Sequence, residues 1–348
     1  GFAGDGNCRN PTSDQVLHLP VPSPLGLPHA ISSRTLPLAN RLGIAGRTPV
    51  GSFEEVLWLT GALAYGYERR SVEAIRSWIR RERPDAVYSE FSLPAIIAAS
   101  AEGVPCVGTA SLPTRATYAC APQRAAGVRK LLDELGLDPV RSSLELLDRM
   151  QLRFVPSYAR LESFGDEDVV HCGFLEDVPQ AHAPRKDAIV IYIGTGSVPP
   201  RTLERAAREL AARTDLDVFA TGCSGPARQE GNLHLAPRFD FSELMPRAAL
   251  FVNHGGQNSI MDALAYGVPQ AMYPGGVFER RFNAASIANA HAGVTLEEFS
   301  ADALLHAFEV TQGDASLAEG ARALREGLSS LGGAKRIAEA VEMRVRTR

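Results

Sequence analysis

The feature that most constrains the fold is a regular alternation of short apolar runs with amphipathic helical stretches. Runs such as VPCVGTA and AIVIYIG have the length of buried strands, and RTLERAARELAAR carries apolar residues at helical spacing. Strands that alternate with helices build parallel sheets with helices packed on their faces. The sequence therefore predicts an α/β fold, and its 348 residues suffice for two domains.

A stretch with two prolines and no apolar periodicity, EDVPQAHAPRKDA, separates two similar series of strands and helices. We predict an N-terminal domain over 1–178 and a C-terminal domain over 179–348, with a ligand cleft between them. One long helix is predicted from Phe53 to Glu82 and another from Ala315 to Val345, the latter a candidate to pack back on the N-terminal domain. Because the chain starts at Gly1 without Met, we expect the sequence to lack its true beginning.

Composition narrows the class of partner. The net charge of −4 provides no overall positive field to hold nucleic acid or an anionic membrane, so an anionic ligand must be held locally. Five scattered cysteines without C-x-x-C spacing indicate neither a disulfide framework nor a zinc site, which favours a cytoplasmic location. No apolar run approaches the roughly 18 residues of a membrane span. We expect small-molecule partners, no nucleic acid, no membrane span, and a monomer or homodimer.

One stretch carries the chemistry: LFVNHGGQNSIMDALAYGVPQAMYPGGVFERRFNAASI. It predicts a strand, a tight turn at Gly255 and Gly256, and a helix that starts near Asn258 and Ser259, two good N-cap residues. The glycines let the backbone approach a ligand, and the free N–H groups of a helix start suit a phosphate or diphosphate. With His254 as a further donor, the pattern predicts a site for such an anion, with a purely structural turn as the alternative.

The order H-G-G-x-N-S, A-L-x-x-G-V-P, P-x-x-x-x-[ED] and N-A resembles the donor-binding signature of GT-B glycosyltransferases of the UDP-glycosyltransferase type. This family includes antibiotic and macrolide glycosyltransferases. The flanking segments IYIGTGSV and RFDFSELMP resemble its first C-terminal-domain loop and its base-binding segment. The resemblance is strong over about 190–290 and loose in the first half. It implies two Rossmann-like domains that face each other across a cleft.

The resemblance implies a role for each matching residue at the diphosphate. His254 would contact the diphosphate, and two groups of residues would complete the cradle around it. They are Gly255, Gly256, Asn258 and Ser259 after the strand, and Gly194, Thr195 and Ser197 from the first loop.

The nucleoside and the sugar would be held by other residues of the same half. Asp262 would accept the ribose hydroxyls, and Phe239 or Phe241 would cover the nucleobase. Glu279 and Arg280 stand where the family has an Asp/Glu-Gln pair for the sugar hydroxyls, and Arg in place of Gln could pair with an acidic sugar or with Glu279 itself. The alternative for Asp262 is a first-turn carboxylate favoured by the helix dipole. For Phe239 and Phe241 it is packing in the core, and for Glu279 and Arg280 it is a solvated surface ion pair.

In the first half, PDAVYSE resembles the strand whose carboxylate orients a catalytic histidine, and Glu90 takes that place. A loop-exposed carboxylate without this role is the alternative. His18 and His29 lack the expected surroundings of the base. We therefore expect the general base to lie in residues absent from this chain.

The resemblance implies an inverting, metal-independent glycosyltransferase that moves a sugar from a UDP- or dTDP-sugar to a small, antibiotic-like acceptor. No cofactor is implied beyond the nucleotide-sugar co-substrate. Two D-x-D strings, at 166–168 and 215–217, are the alternative signal for a metal-held diphosphate. A nucleotide-sugar epimerase or hydrolase of the same fold and a non-catalytic nucleotide-binding helper protein remain as alternative functions.

Overall fold

The computed structural model describes residues 2–4, 16–24, 49–119, 121–165, 168–179, 186–194 and 197–346. Within these residues the strands form a four-stranded sheet, a seven-stranded sheet and a separate parallel pair. The predicted α/β class is confirmed. The strands are β1 Phe2–Gly4, β2 Val16–His18, β3 Val87–Glu90, β4 Cys106–Thr109, β5 Leu152–Val155, β6 Val169–His171, β7 Ala188–Tyr192, β8 Asp217–Thr221, β9 Arg228–Glu230, β10 Leu233–Ala236, β11 Ala248–Asn253, β12 Gln270–Met272 and β13 Gly293–Thr295.

Helices cover these sheets, as expected where parallel strands are joined by crossovers. Their bounds are Phe53–Leu59, Tyr65–Glu82, Leu93–Ala101, Ala126–Glu134, Glu145–Asp148, Pro200–Ala211, Phe241–Leu244, Gln257–Ala265, Phe278–Asn289, Ala301–Gly313, Ala315–Ser329 and Gly333–Arg346.

The N-terminal sheet has the order β3-β4-β5-β6, and all of its strands are parallel. Its largest core cluster joins the helix Leu93–Ala101 to its neighbours, with Ile96, Ile97 and Leu132 fully buried. The carboxyl end of β3 lies at one edge of this sheet, so Glu90 is placed at the rim of the interdomain cleft.

The C-terminal sheet has the order β13-β12-β11-β7-β8-β10-β9, with only β9 antiparallel to its neighbour among the described strands. The strands β7 and β11 are adjacent, and Tyr192 at the end of β7 pairs with Asn253 at the end of β11. Parallel neighbours release their loops at the same edge of the sheet. The loop that follows Tyr192 and the turn that follows Asn253 therefore meet.

Two predicted long helices are each broken in the structure. The predicted helix from Phe53 to Glu82 is interrupted between Leu59 and Tyr65. A Cβ atom on Gly61 in this break would lie 2.0 Å from the Ser23 carbonyl oxygen, so only glycine allows this close approach. The predicted helix from Ala315 to Val345 is likewise two helices, separated by residues 330–332. Periodicity missed both breaks because the segments on either side are amphipathic.

The last helix, Gly333–Arg346, lies against the N-terminal sheet. Its Ile337, Ala340 and Val341 pack on a cluster that contains Val107 and Phe154. The chain thus crosses back after completing the C-terminal sheet. The predicted boundary at 178/179 falls between β6 and β7 and stays a prediction, and residues 180–185 of the proposed linker lie outside the described residues.

Candidate active site

The turn after β11 is held from both sides by buried amides. The N–H of Gly255 donates to Asn253 Oδ1 at 2.8 Å, and Asn283 Nδ2 donates to the Gly255 carbonyl at 3.0 Å. Gly255 has φ = 78°, and a Cβ atom there would lie 2.7 Å from the Arg280 carbonyl oxygen. Glycine is therefore required here for conformation and for space, and the turn is fixed before any ligand arrives.

The helix that follows begins two to three residues earlier than predicted. Gly256 is its N-cap, with extended backbone (φ −73°, ψ 141°), so the prediction that Asn258 or Ser259 caps it is wrong. The first helical bond runs from the Ile260 N–H to the Gly256 carbonyl at 3.0 Å. The N–H groups of Gln257, Asn258 and Ser259 hence have no acceptor within the helix, and all three residues line the cleft. The positive end of this helix faces the cleft.

His254 lies against this turn as a neutral ring. Burial, and to a smaller extent the positive charge of Arg280, lower its pKa from 6.5 to about 4, although the Tyr192 backbone acts in the opposite direction. Its buried Nδ1 has no hydrogen-bond partner within the described residues. Cβ atoms on Gly256 and Gly194 would lie 2.6 Å from its Nε2 and 2.9 Å from its Cε1, so two glycines make room for the ring. At neutral pH the ring carries one N–H donor and no charge.

The loop after β7 brings its residues to the same place. Gly194 lines the cleft beside the His254 ring, and the buried Ser197 Oγ accepts a hydrogen bond from Arg280 Nη1 at 2.6 Å. Thr195 lies outside the described residues. Two loops that are about 60 residues apart in sequence thus meet at the His254 ring, as expected for adjacent parallel strands.

Both predicted nucleobase residues line the cleft, and both also pack on core residues. The Phe239 ring meets Phe219 edge-on at 5.5 Å, and the Phe241 ring meets Tyr192 edge-on at 5.5 Å. Each is partly buried against the same core cluster. The core-packing and ligand-contact interpretations are therefore compatible, because each ring packs against the core and also lines the cleft.

Asp262 is exposed within the cleft, one helical turn beyond Asn258. Partial loss of water raises its pKa, and the negative charge of Glu176 raises the pKa further. Glu176 also lines the cleft and was missed by the sequence analysis. The available signal was its position in the interdomain segment, which has to pass the cleft.

Glu279 and Arg280 are adjacent in one helix, but their side chains have different surroundings. Both are half-buried in the first turn of the helix Phe278–Asn289, but of the two only Glu279 lines the cleft. Burial raises the pKa of the Glu279 carboxyl, and the neighbouring Arg280 opposes this. The Arg280 side chain is directed to Ser197 instead.

The N-terminal wall of the cleft is partly aromatic. Phe91 adopts φ = 57°, a conformation that is uncommon for a bulky residue, and its ring meets Phe53 edge-on at 5.8 Å. Glu90 is exposed beside it, and both line the cleft. Of the histidines in the described residues, His254 alone lines the cleft, so the role of Glu90 in orienting a base stays a prediction. No sequence pattern signals the unusual backbone at Phe91.

The cleft between the two sheets has a volume of about 1960 Å³, ample for a nucleotide and a second molecule. In the described parts of the chain, no three His, Cys, Asp or Glu side chains cluster in a way that could hold a metal ion. Of the D-x-D strings, Asp217 is paired with Arg247 at 2.7 Å, and residues 166–167 lie outside the described residues. None of the described helices has the length and apolar character needed to cross a membrane.

Two Rossmann-like sheets that face each other across a cleft define the GT-B arrangement. Residues 215–343 match the C-terminal domain family of erythromycin biosynthesis protein CIII-like proteins. The NDP-glycosyltransferase YjiC of Bacillus subtilis (strain 168) is 31% identical over 102 residues. That alignment covers 29% of this chain and 26% of YjiC, so the chain matches about a quarter of this curated relative.

Solved structures match over most of the chain. The calicheamicin glycosyltransferase CalG4 has a TM-score of 0.70 at 18% identity, covering 94% of this chain and 86% of CalG4. The spinosyn rhamnosyltransferase SpnG matches with TM-scores of 0.62 in complex with thymidine diphosphate and 0.61 in complex with spinosyn aglycone. Both SpnG matches are at 15% identity and cover 94% of this chain and 87% of SpnG. The GT-B fold is thereby confirmed, and so is the resemblance, since these relatives and neighbours are glycosyltransferases.

Proposed function

We propose that this protein is an inverting glycosyltransferase that moves a sugar from a dTDP- or UDP-linked donor to a small natural-product acceptor. The observation that carries the proposal is the turn at Gly255, held by Asn253 and Asn283, which places His254 and the first N–H groups of a helix at the cleft. The thymidine diphosphate complex of SpnG supports a nucleoside diphosphate as the ligand.

The chemistry follows from where charge develops. In a single displacement, the acceptor oxygen bonds to the anomeric carbon while the bond from that carbon to the diphosphate oxygen breaks. The acceptor proton passes to a base, and the leaving diphosphate gains negative charge. Preorganised N–H donors at a helix start stabilise that charge most in the transition state, so we propose that no metal ion is needed.

The acceptor would lie against the N-terminal wall. Phe53, Phe91 and Ala110 give this wall an apolar surface, and Glu90 stands at its edge. Such a surface fits an apolar aglycone, and the spinosyn aglycone complex of SpnG supports this class of acceptor. Cys106, Cys172 and Cys223 are buried free thiols, which fits the proposed cytoplasmic location.

The test combines nucleotide binding with turnover. Titration calorimetry with dTDP and UDP should show binding, and His254→Ala should weaken it by at least about tenfold because a hydrogen bond to a charged group is lost. His306→Ala, an exposed histidine outside the cleft, is the matched control. Failure of the wild-type protein to bind either nucleotide at millimolar concentration would refute the proposal.

Product analysis separates the alternative functions. Incubation with dTDP- and UDP-sugars and a panel of apolar acceptors should give a glycosylated acceptor with inverted anomeric configuration. A changed or hydrolysed sugar formed without any acceptor would indicate an epimerase or hydrolase. Nucleotide binding without turnover in the full-length protein would indicate a binding helper.

A further inference from the structure

Arg280 is a half-buried cation at the edge of the site that does not itself line the cleft. Its Nη1 donates to Ser197 Oγ at 2.6 Å, and Ser197 itself is 6% exposed. Within the described residues the guanidinium forms no ion pair with a carboxylate, and the adjacent Glu279 acts on it only through its electrostatic field. A partly desolvated cation without a bonded carboxylate is costly unless an anion joins it.

The position of Arg280 relates it to both loops that converge on the proposed diphosphate. Its side chain is bonded to Ser197 in the loop after β7, and its carbonyl oxygen lies against Gly255 in the turn after β11. Its charge also reaches His254, where it contributes to the lowered pKa of that ring. Arg280 does not line the cleft itself, so it acts on a ligand through these neighbours and through its field.

The other groups at the Gly255 turn supply too little positive charge to balance a diphosphate, so the cation at position 280 is important. A nucleoside diphosphate carries at least two negative charges. His254 is neutral at pH 7, and the helix start supplies the equivalent of about half a positive charge. Arg238 also lines the cleft, but it is exposed and lies beside Phe239 at the nucleobase wall. Arg280 carries a full positive charge, and its side chain is hydrogen-bonded to Ser197 in the loop after β7.

Resting on the proposed function, we propose that Arg280 serves the diphosphate and not the sugar. It is a positioning residue that holds Ser197 in place and supplies the positive charge that offsets the leaving group. This role differs from the two that the sequence suggested for Arg280, pairing with an acidic donor sugar or with Glu279. The sugar would then be met by Glu279, which lines the cleft.

The experiment compares charge-removing and charge-keeping variants. Arg280→Gln should weaken dTDP binding by at least about tenfold and leave thymidine binding unchanged, since thymidine lacks the phosphates. Arg280→Lys should stay within about threefold of the wild type, because it keeps the charge. In transfer assays, Arg280→Gln should lower kcat more than it raises KM for the donor. Arg281→Gln, an exposed arginine on the same helix, is the control.

Several results would overturn the inference. Unchanged dTDP affinity in Arg280→Gln, with donor preference altered from uronic to neutral sugars, would assign Arg280 to the sugar. Equal loss of dTDP and thymidine binding, or a melting temperature about 10 °C lower in Arg280→Gln, would assign it to folding. If the wild-type protein binds no nucleoside diphosphate, the proposed function itself fails, and that outcome is distinct from the first two.

Discussion

A buried carboxyl in the N-terminal half makes a strong prediction about stability. Glu68, in the helix Tyr65–Glu82, is 1% exposed, and neither of its carboxyl oxygens has a hydrogen-bond partner in the described residues. Burial raises its pKa from 4.5 to about 8. The folded protein therefore holds this carboxyl as the neutral acid at pH 7, whereas the unfolded chain releases the proton.

The difference between the folded and unfolded pKa of Glu68 sets the direction and the size of its effect on stability. Below pH 4.5 both states hold the proton, and the carboxyl makes no pH-dependent contribution. Between pH 4.5 and about 8 only the folded state holds it, so the free energy of unfolding falls as the pH rises. The full loss above pH 8 is about 5 kcal/mol, at about 1.4 kcal/mol for each pH unit between 4.5 and about 8. This is comparable to the whole stability of a marginal domain.

Glu68→Gln removes the proton equilibrium and keeps the shape of the side chain. The free energy of unfolding of Glu68→Gln minus that of the wild type should increase by about 4 kcal/mol between pH 5 and pH 9. Urea unfolding followed by circular dichroism at several pH values measures this difference. Glu73→Gln, an exposed carboxylate on the same helix, is the control and should show no such trend. A difference between Glu68→Gln and wild type that is constant across pH would refute the reasoning.

Three further predictions concern the site and its support. Gly256→Ala places a Cβ atom 2.6 Å from His254 Nε2, so dTDP affinity measured by calorimetry should fall at least about fivefold; unchanged affinity would contradict the rigid turn. Glu54→Ala removes the carboxylate that accepts hydrogen bonds from Ser142 Oγ, Ser143 N–H and Ser143 Oγ. The free energy of unfolding, measured in urea, should fall by about 2–3 kcal/mol, and a fall of less than about 0.5 kcal/mol would contradict this. EDTA should leave the sugar-transfer rate unchanged, and a loss that Mg²⁺ restores would contradict the metal-independent reaction.

The sequence predicted most of the strands and the turn at Gly255 and Gly256 because both depend on local patterns. Short apolar runs become buried strands wherever a sheet forms, and the run before His254 became β11. The Gly-Gly turn has a conformational requirement that glycine alone satisfies, which makes it visible in the sequence. The helix start was placed too late because Asn and Ser are good caps in general, whereas here Gly256 already has the cap conformation.

Features that depend on which elements are neighbours in space could not be predicted. Arg280 and Ser197 are 83 residues apart, and only the adjacency of the loops makes them partners. The sequence therefore suggested a surface pair or a sugar contact for Arg280. The burial of Glu68 could not be predicted for the same reason. A glutamate is common in amphipathic helices, and only the packing of neighbouring elements buries this one.

The two halves are not independent at the site, even though the C-terminal half alone matches a domain family. The Val50 N–H donates to the Gly276 carbonyl at 3.1 Å, and the Val50 carbonyl accepts from the Phe278 N–H at 2.9 Å. The Phe278 ring also lies 5.0 Å from that of Tyr118. The N-terminal half thus holds the first turn of the helix that carries Glu279 and Arg280. Under the proposed function, Glu279 and Arg280 lie beside the donor and are held by the half that binds the acceptor, so we expect movement of one half to displace contacts of the other substrate.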